Sequence, residues 1–330
     1  MTIKLIPTFA KNMKLQTQIP LSKQPDNNID YESKLVLLGS CFAENMAEKF
    51  EYYKFQTKTN PFGIIFNPLS IEKLILKSIQ KVYFNDEDVF YHNEQWQCYD
   101  VHSKLNHSSK DELLNELNSQ IDLTHSQLHN ASHIIITLGT AWVYKLNETN
   151  QIVANCHKVP QSNFTKVLLS IEEITTSLQR MIKSIQSINP NAKFIFTVSP
   201  VRHIKDGFVE NTLSKAHLIS AIHSFLSHRV QFRCYYFPSY EILLDELRDY
   251  RFYADDMLHP NQTAINYIWE KFNDVWMHPE TFKTMALVDT IQKGLQHKPF
   301  NPQTQAHQAF LEDLEVKKQA LQHQLTHIVF

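Results

Sequence analysis

Two segments of this chain, more than two hundred residues apart, carry side chains suited to nucleophilic chemistry. The first is KLVLLGSCFAENMAEKF, residues 34–50, where Ser40 and Cys41 follow Gly39 with hardly any loop between an apolar run and an amphipathic one. The second is RFYADDMLHPNQTAINYIWEKF, residues 251–272, with Asp255, Asp256 and His259 just ahead of a helical pattern. Asp-x-x-His spacing sets a carboxylate against one imidazole nitrogen and leaves the other free to take a proton from a serine. The acid fixes the tautomer and steadies the imidazolium that forms. A hydroxyl directly before a helix gains the unpaired N–H groups of the first turn and a dipole that favours negative charge. Ser40 equally suits a plain helix cap, and from residues 34–50 alone the two readings stand level.

Glycine placement adds weight to the first reading. The chain has only five glycines, and three fall in these regions: Gly39, Gly63 in NPFGIIFNP (60–68) and Gly139 ending IIITLG. Gly39 lets the chain turn without a Cβ clash. Gly63 and Gly139 can each turn an amide N–H toward a developing oxyanion, with ordinary turn chemistry as the alternative. VSPVRH (198–203) offers Ser199, Arg202 and His203 at a strand end. There Arg202 can clamp a substrate carboxylate or phosphate, or else sit in an internal ion pair. His157 and Lys158 in ANCHKVP, and Asn211, Ser214 and Lys215 in KDGFVENTLSKA, either line a polar, sugar-like pocket or cap helices. Cys41 shares the helix N-terminus, where thiol pKa values fall, but is expected to turn toward the helix core and stay inert. His125 and His129 have a metal-ligand spacing without a third ligand nearby, so no metal and no organic cofactor is expected.

The elements that must position these residues follow from apolar periodicity. Strands are expected at 34–39, 132–139, 192–200 and 230–238, and helices at 41–53, 70–81, 110–130, 171–188, 208–228 and 239–247. Irregular hairpins fit 88–105 and 141–155. Strands and helices alternate, which predicts a parallel sheet covered on both faces. Residues 1–30 read as a polar arm and 31–276 as the α/β domain. Residues 277–330 form a C-terminal helical extension, with a narrow stripe of Phe310, Leu314, Leu321, Leu325 and Ile328. That stripe packs on its own domain or, on the sharper reading, makes a homodimer seam that Lys317 and Gln324 interrupt.

Composition excludes several classes. With net charge −2 and 43% hydrophobic residues, the chain shows no footprint for nucleic acid. The four cysteines, Cys41, Cys98, Cys156 and Cys234, form no C-x-x-C pair, so neither a zinc site nor a disulfide framework is expected. No run is long enough to span a bilayer and no signal peptide is evident. A cytoplasmic protein without membrane association is the expectation.

The string GSCFA at 39–43 resembles the signature of the GSCFA family. NPFGIIFNP, TLGTAWV, ANCHKVPQ, TVSPVRH, ENTLSKA, YYFPSYEI and DELRDYRFYADDMLHP resemble its further motifs, in order, over roughly residues 30 to 275. That family is similar to the SGNH (GDSL-type) hydrolases. The resemblance implies a three-layer α/β/α sandwich with a flavodoxin-like sheet. It also implies Ser40 as nucleophile, Asp256 as acid and His259 as base, with the Ser40 amide and Gly63 as oxyanion donors. The superfamily's Gly-x-Asn-Asp is here Gly139-Thr140-Ala141-Trp142, so one carboxamide is missing. Thr140 or Asn67 is the expected substitute, and Arg202, His203, His157 and Asn211 are the expected substrate ligands. The function implied is serine-dependent hydrolysis of an acyl ester, such as deacetylation of a carbohydrate or another small acylated substrate. Transfer of the acyl group to an acceptor on the same triad is one alternative. A catalytically weak carbohydrate-binding or scaffold protein of the same fold is the other.

Overall fold

KLVLLG and HIIITL have almost no polar residue to spare for solvent, the mark of strands covered on both faces, and they lie side by side in the sheet. The computed structural model describes residues 17–227 and 233–330. In chain order the first elements are β1 (Lys34–Gly39), α1 (Cys41–Tyr52), β2 (Gln56–Thr59) and α2 (Pro68–Gln80). A small hairpin, β3 (Phe90–His92) and β4 (Gln95–Gln97), precedes α3 (Lys110–Asn130) and β5 (His133–Leu138). Next come β6 (Trp142–Leu146), β7 (Ile152–Val153) and β8 (Phe164–Leu168), then α4 (Ile171–Ile188) and β9 (Lys193–Val198). The chain continues through α5 (Phe208–Ser227), β10 (Cys234–Tyr236) and α6 (Ser239–Glu241), which runs into a π-helical turn, Ile242–Leu247. It closes with α7 (Gln262–Trp276), α8 (Thr281–Gln296) and α9 (Gln305–Gln324).

The central sheet has five parallel strands in the order β10-β9-β5-β1-β2. Counted along the sheet alone, this is the flavodoxin-like order 2-1-3-4-5, whose switch point lies between β1 and β5. Side chains alternate across the two layers, as the pleat requires. Val36, Leu38, Ile134, Ile136, Phe194 and Phe196 join a core with α2, α3, α4 and α5. Leu35, Leu37, Ile135 and Ile195 join a second core, with α1, α7 and α8. The fold is thus the α/β/α sandwich expected from the alternation.

Three features were not expected from the sequence. β2 is a four-residue edge strand of polar composition, QTKT, paired with β1. β8 adds a third strand to the hairpin predicted at 141–155. A separate helix, α8, precedes α9 in the C-terminal extension and shares its core. The strand expected over 230–238 falls partly outside the described residues, as does the first half of the N-terminal arm. Within the described part of the arm, Ile29 bridges to Met277 and its N–H donates to Trp276.

The stripe on α9 is covered by the chain itself. Leu314, Leu321 and Ile328 are buried in the same core as Trp276 and Val288, and Leu325 packs against it. Phe310 lies outside that core, beside His297 and His307. No helix of the described residues is long and apolar enough to cross a membrane.

Candidate active site

The carboxyl ends of β1, β5 and β9 converge through backbone hydrogen bonds that begin at Gly39. Its φ is +129°, and a Cβ there would lie 2.0 Å from the Thr137 carbonyl oxygen. Only glycine permits that approach. Its N–H donates to Asn60 Oδ1 at 2.8 Å, and its carbonyl accepts from Ile65 at 3.1 Å. The loop after β2 is thereby pinned over the end of β1.

Ser40 follows immediately as the N-cap of α1, with its Oγ accepting from the Phe42 N–H at 3.3 Å. The residue is 0% exposed. Its own N–H donates to Thr137 O at 3.1 Å, so hydroxyl and amide are both engaged in structure. Cys41, next along, has its thiol pushed up, first by burial and then by Glu44. Cys41 is only partly buried and does not join the buried face of α1 to which it was expected to turn.

The loop before α7 is stitched locally. Asp256 Oδ1 accepts from the Leu258 and His259 N–H groups at 2.9 and 3.0 Å, and Oδ2 meets His259 Nδ1 at 2.6 Å. Asn261 caps α7 through Ala264 and also donates to Arg251 O. The His259 and Leu258 amides and the imidazole together hold the Asp256 carboxyl down to about 2, so it is ionised across the whole working range. His259 is half exposed, and no hydrogen bond links it to Ser40. The two therefore differ: the imidazole is open to solvent, whereas the serine is sealed.

The 202–203 segment connects this loop to the rest of the site. The Arg202 N–H donates to Leu258 O at 3.2 Å. The His203 ring meets Phe66 edge-on at 5.3 Å, and Phe66 O accepts from both Gly139 and Thr140 N–H. Contacts thus run from the loop that carries His259, through Arg202 and His203, to Phe66 and Gly139 at the carboxyl end of β5. The Arg202 guanidinium lies 6.0 Å from the Phe208 ring and has no ion-pair partner among the described residues. Its alternative reading, an internal ion pair, is not what the structure contains.

Several expected site residues have other duties. The Gly63 N–H donates to Asn60 O at 2.7 Å, and a Cβ at Gly63 would meet His102 Cβ at 2.4 Å, so this glycine serves a turn and a close approach. Thr140 gives its N–H to Phe66 O, and its hydroxyl meets Ser214 Oγ at 3.0 Å while accepting from Trp142. Asn67 caps α2 by accepting from the Ser70 N–H and donating to its hydroxyl. None of these three offers an oxyanion the donor expected of it. His157 is buried, with Nε2 bonded to Cys98 O at 2.7 Å, and lies among Phe90 and Tyr99; it is a core ring rather than a pocket ligand. Asn211 is buried and accepts from the His203 N–H at 2.8 Å, so it positions His203.

Lys215, expected to line a polar pocket or cap a helix, does neither. Fully buried, it donates to Gly139 O and Ser199 O, both at 2.7 Å, tying the ends of β5 and β9. Burial drives its ammonium down to about 7. Between about pH 7 and the ordinary lysine value the unfolded chain holds more protons than the folded one, so this group's contribution to stability rises with pH there. Below about pH 7 the cost of burying the charge is present in full. The stability of wild type relative to Lys215→Met is therefore expected to climb with pH across that window, as read from urea unfolding. Parallel curves would remove Lys215 as a buried charge.

A cavity of about 570 Å³ lies at the other end of β1 and β2, lined by Lys34, Phe55, Thr57 and His327 among others. Size alone would make it the default site. We favour the carboxyl end, because in open α/β sheets ligands bind there and because the Asp–His pair lies there.

Comparison with known proteins gives three findings. The GSCFA family model matches residues 34–272, and that of the GSCFA domain protein, C-terminal domain, matches residues 288–330. Among solved structures, an acetyl xylan esterase (Est2A) from the rumen bacterium Butyrivibrio proteoclasticus is similar, with 13% identity and a TM-score of 0.39. The match covers 81% of this chain and 66% of that one, so the chain spans just under two thirds of the esterase's length. No curated protein sequence matches this chain.

Proposed function

The chain belongs to the GSCFA family, and from that premise we propose that it is a serine-dependent acyl-ester hydrolase. In this reading Ser40 Oγ attacks the acyl carbonyl while His259 Nε2 removes its proton. Asp256 holds the ring through Nδ1 and steadies the imidazolium. The proton then passes to the departing alcohol, and water activated by the same imidazole releases the acyl group. The observation that carries the reading is the Asp256–His259 pair: a carboxylate locked by two backbone amides bonds one imidazole nitrogen at 2.6 Å. An ionised acid so fixed is what a general base needs behind it.

The sealed state of Ser40 adds a requirement. Attack on an external carbonyl needs the loops above the hydroxyl to open and the His259 ring to close on it, and catalytic hydrogen bonds that are loose in free enzymes do tighten with substrate bound. Arg202, without an ion-pair partner among the described residues and beside exposed Phe208, supplies a cation for a substrate carboxylate or phosphate next to an apolar surface. The substrate class is a small acyl ester, with acylated carbohydrate included.

A fluorophosphonate probe tests the reading. Wild type is expected to take the label on the peptide carrying Ser40, and His259→Ala to label far more slowly. A label found on any other residue, or undiminished labelling of His259→Ala, would refute the assignment.

A further inference from the structure

Resting on that hydrolase reading, we propose that the His203 imidazole is the oxyanion donor standing in for the missing carboxamide. The amides expected for the task are spent: Ser40 N–H on Thr137 O, Gly63 N–H on Asn60 O, and Thr140 N–H on Phe66 O. Ala141 occupies the place where the resembled superfamily has its asparagine, and Ala141 is itself fully buried. His203 Nε2, in contrast, is buried and has no hydrogen-bond partner among the described residues. Buried polar atoms in native proteins are nearly always paired, so an orphan beside a reaction centre marks a group waiting for a ligand.

Its position fits the task. A Cβ built on Gly139 would lie 3.3 Å from Nε2, which puts that nitrogen directly over the end of β5. Gly139 is two residues beyond Thr137, the partner of Gly39 in the ladder and of the Ser40 N–H. The ring is held from two sides, by the Asn211 Oδ1 bond to its backbone and by the edge contact with Phe66. Asn60 is a weaker candidate despite an orphaned Nδ2. Its Oδ1 is tied to Gly39, and it lines a cavity of about 20 Å³ with Thr124, whose hydroxyl is orphaned as well. One buried water suits that pair.

Burial, with Lys215 and His259 adding to it, pushes the His203 imidazole down to about 3. It therefore works as a neutral ring, with one N–H to give and no proton to lose. Neutral imidazole is a known electrophile toward a carbonyl oxygen. As the Ser40 oxygen bonds to the acyl carbon, the carbonyl π pair moves onto oxygen and the Nε2–H donates to it. No proton is transferred at this atom. When the tetrahedral species collapses, the bond weakens again.

The test compares His203→Phe, which keeps ring volume without the N–H, with His203→Gln, which restores a donor. The readouts are the rate of fluorophosphonate labelling at Ser40 and turnover of p-nitrophenyl acetate. His203→Phe is expected to lose about 10²- to 10³-fold in labelling rate and kcat. KM and the shape of the pH profile should stay as in wild type, because a ring neutral above about pH 4 adds no titration step in the working range. His203→Gln is expected to recover at least roughly tenfold of that loss. A folded His203→Phe protein with wild-type rates, or a loss confined to KM, would overturn the assignment while leaving the hydrolase reading standing. Wild type that takes no label at Ser40 would overturn both.

Discussion

Ser40→Ala and His259→Ala are each expected to lower turnover of p-nitrophenyl acetate on the order of 10⁶-fold, and the double variant no further. The reason is that the two side chains act in one event. Without the base the hydroxyl is a poor nucleophile, and without the hydroxyl the base has no proton to take. Asp256→Asn should cost less, about 10⁴-fold, since the ring loses its correct tautomer but keeps its place. In wild type the Asp256 carboxylate, held near 2 by the His259 and Leu258 amides and the imidazole, stays charged well below neutrality. Loss of activity on acidification from neutrality to about pH 4 must therefore arise from another group. Additive losses in the double variant would show that Ser40 and His259 act separately, and the triad would fall.

Gly39→Ala is expected to destabilise the fold by on the order of 4 kcal/mol, a large share of the roughly 5–15 kcal/mol that holds a domain together. The new methyl would stand 2.0 Å from the Thr137 carbonyl at a φ of +129°. Neither neighbour can yield, because Gly39 and Thr137 are paired between β1 and β5, and the Ser40 N–H uses the same carbonyl. Gly294→Ala is the control. Its methyl meets side chains rather than backbone, with Leu314 Cδ1 at 2.7 Å, and alanine gains about 1 kcal/mol of helix propensity over glycine. Urea midpoints decide the matter. If the two variants unfold alike, the close approach at Gly39 is not what sets the turn.

The strand and helix order could be read from the chain because each long element advertises itself locally. KLVLLG, HIIITL and KFIFTV are continuous apolar runs, and the helices between them carry one apolar face. The Asp256–His259 contact was equally readable, since three residues of tight loop decide it. Ser40 stood out because a glycine-poor chain spends a glycine beside it. β2 escaped notice because four polar residues on a sheet edge have no periodicity of their own, and their strand state comes from pairing with β1. The duties of Gly63, Thr140, Asn67 and His157 also depend on partners. A residue near a motif looks available until the fold shows which carbonyl has already claimed its N–H.

Lys215 and His203 show this division most clearly. In the chain they are only candidates, a lysine that could line a polar pocket or cap a helix and a histidine at a strand end that could touch substrate. Folding buries the lysine between the carbonyls of Gly139 and Ser199 and leaves one nitrogen of the histidine, beside Gly139, without a partner among the described residues. Local pattern determines which segments become strand or helix, because backbone preference and apolar spacing act over a few residues. Which polar atoms end up paired, buried or idle is settled only when distant segments meet, because desolvation and hydrogen bonding depend on who the neighbours are.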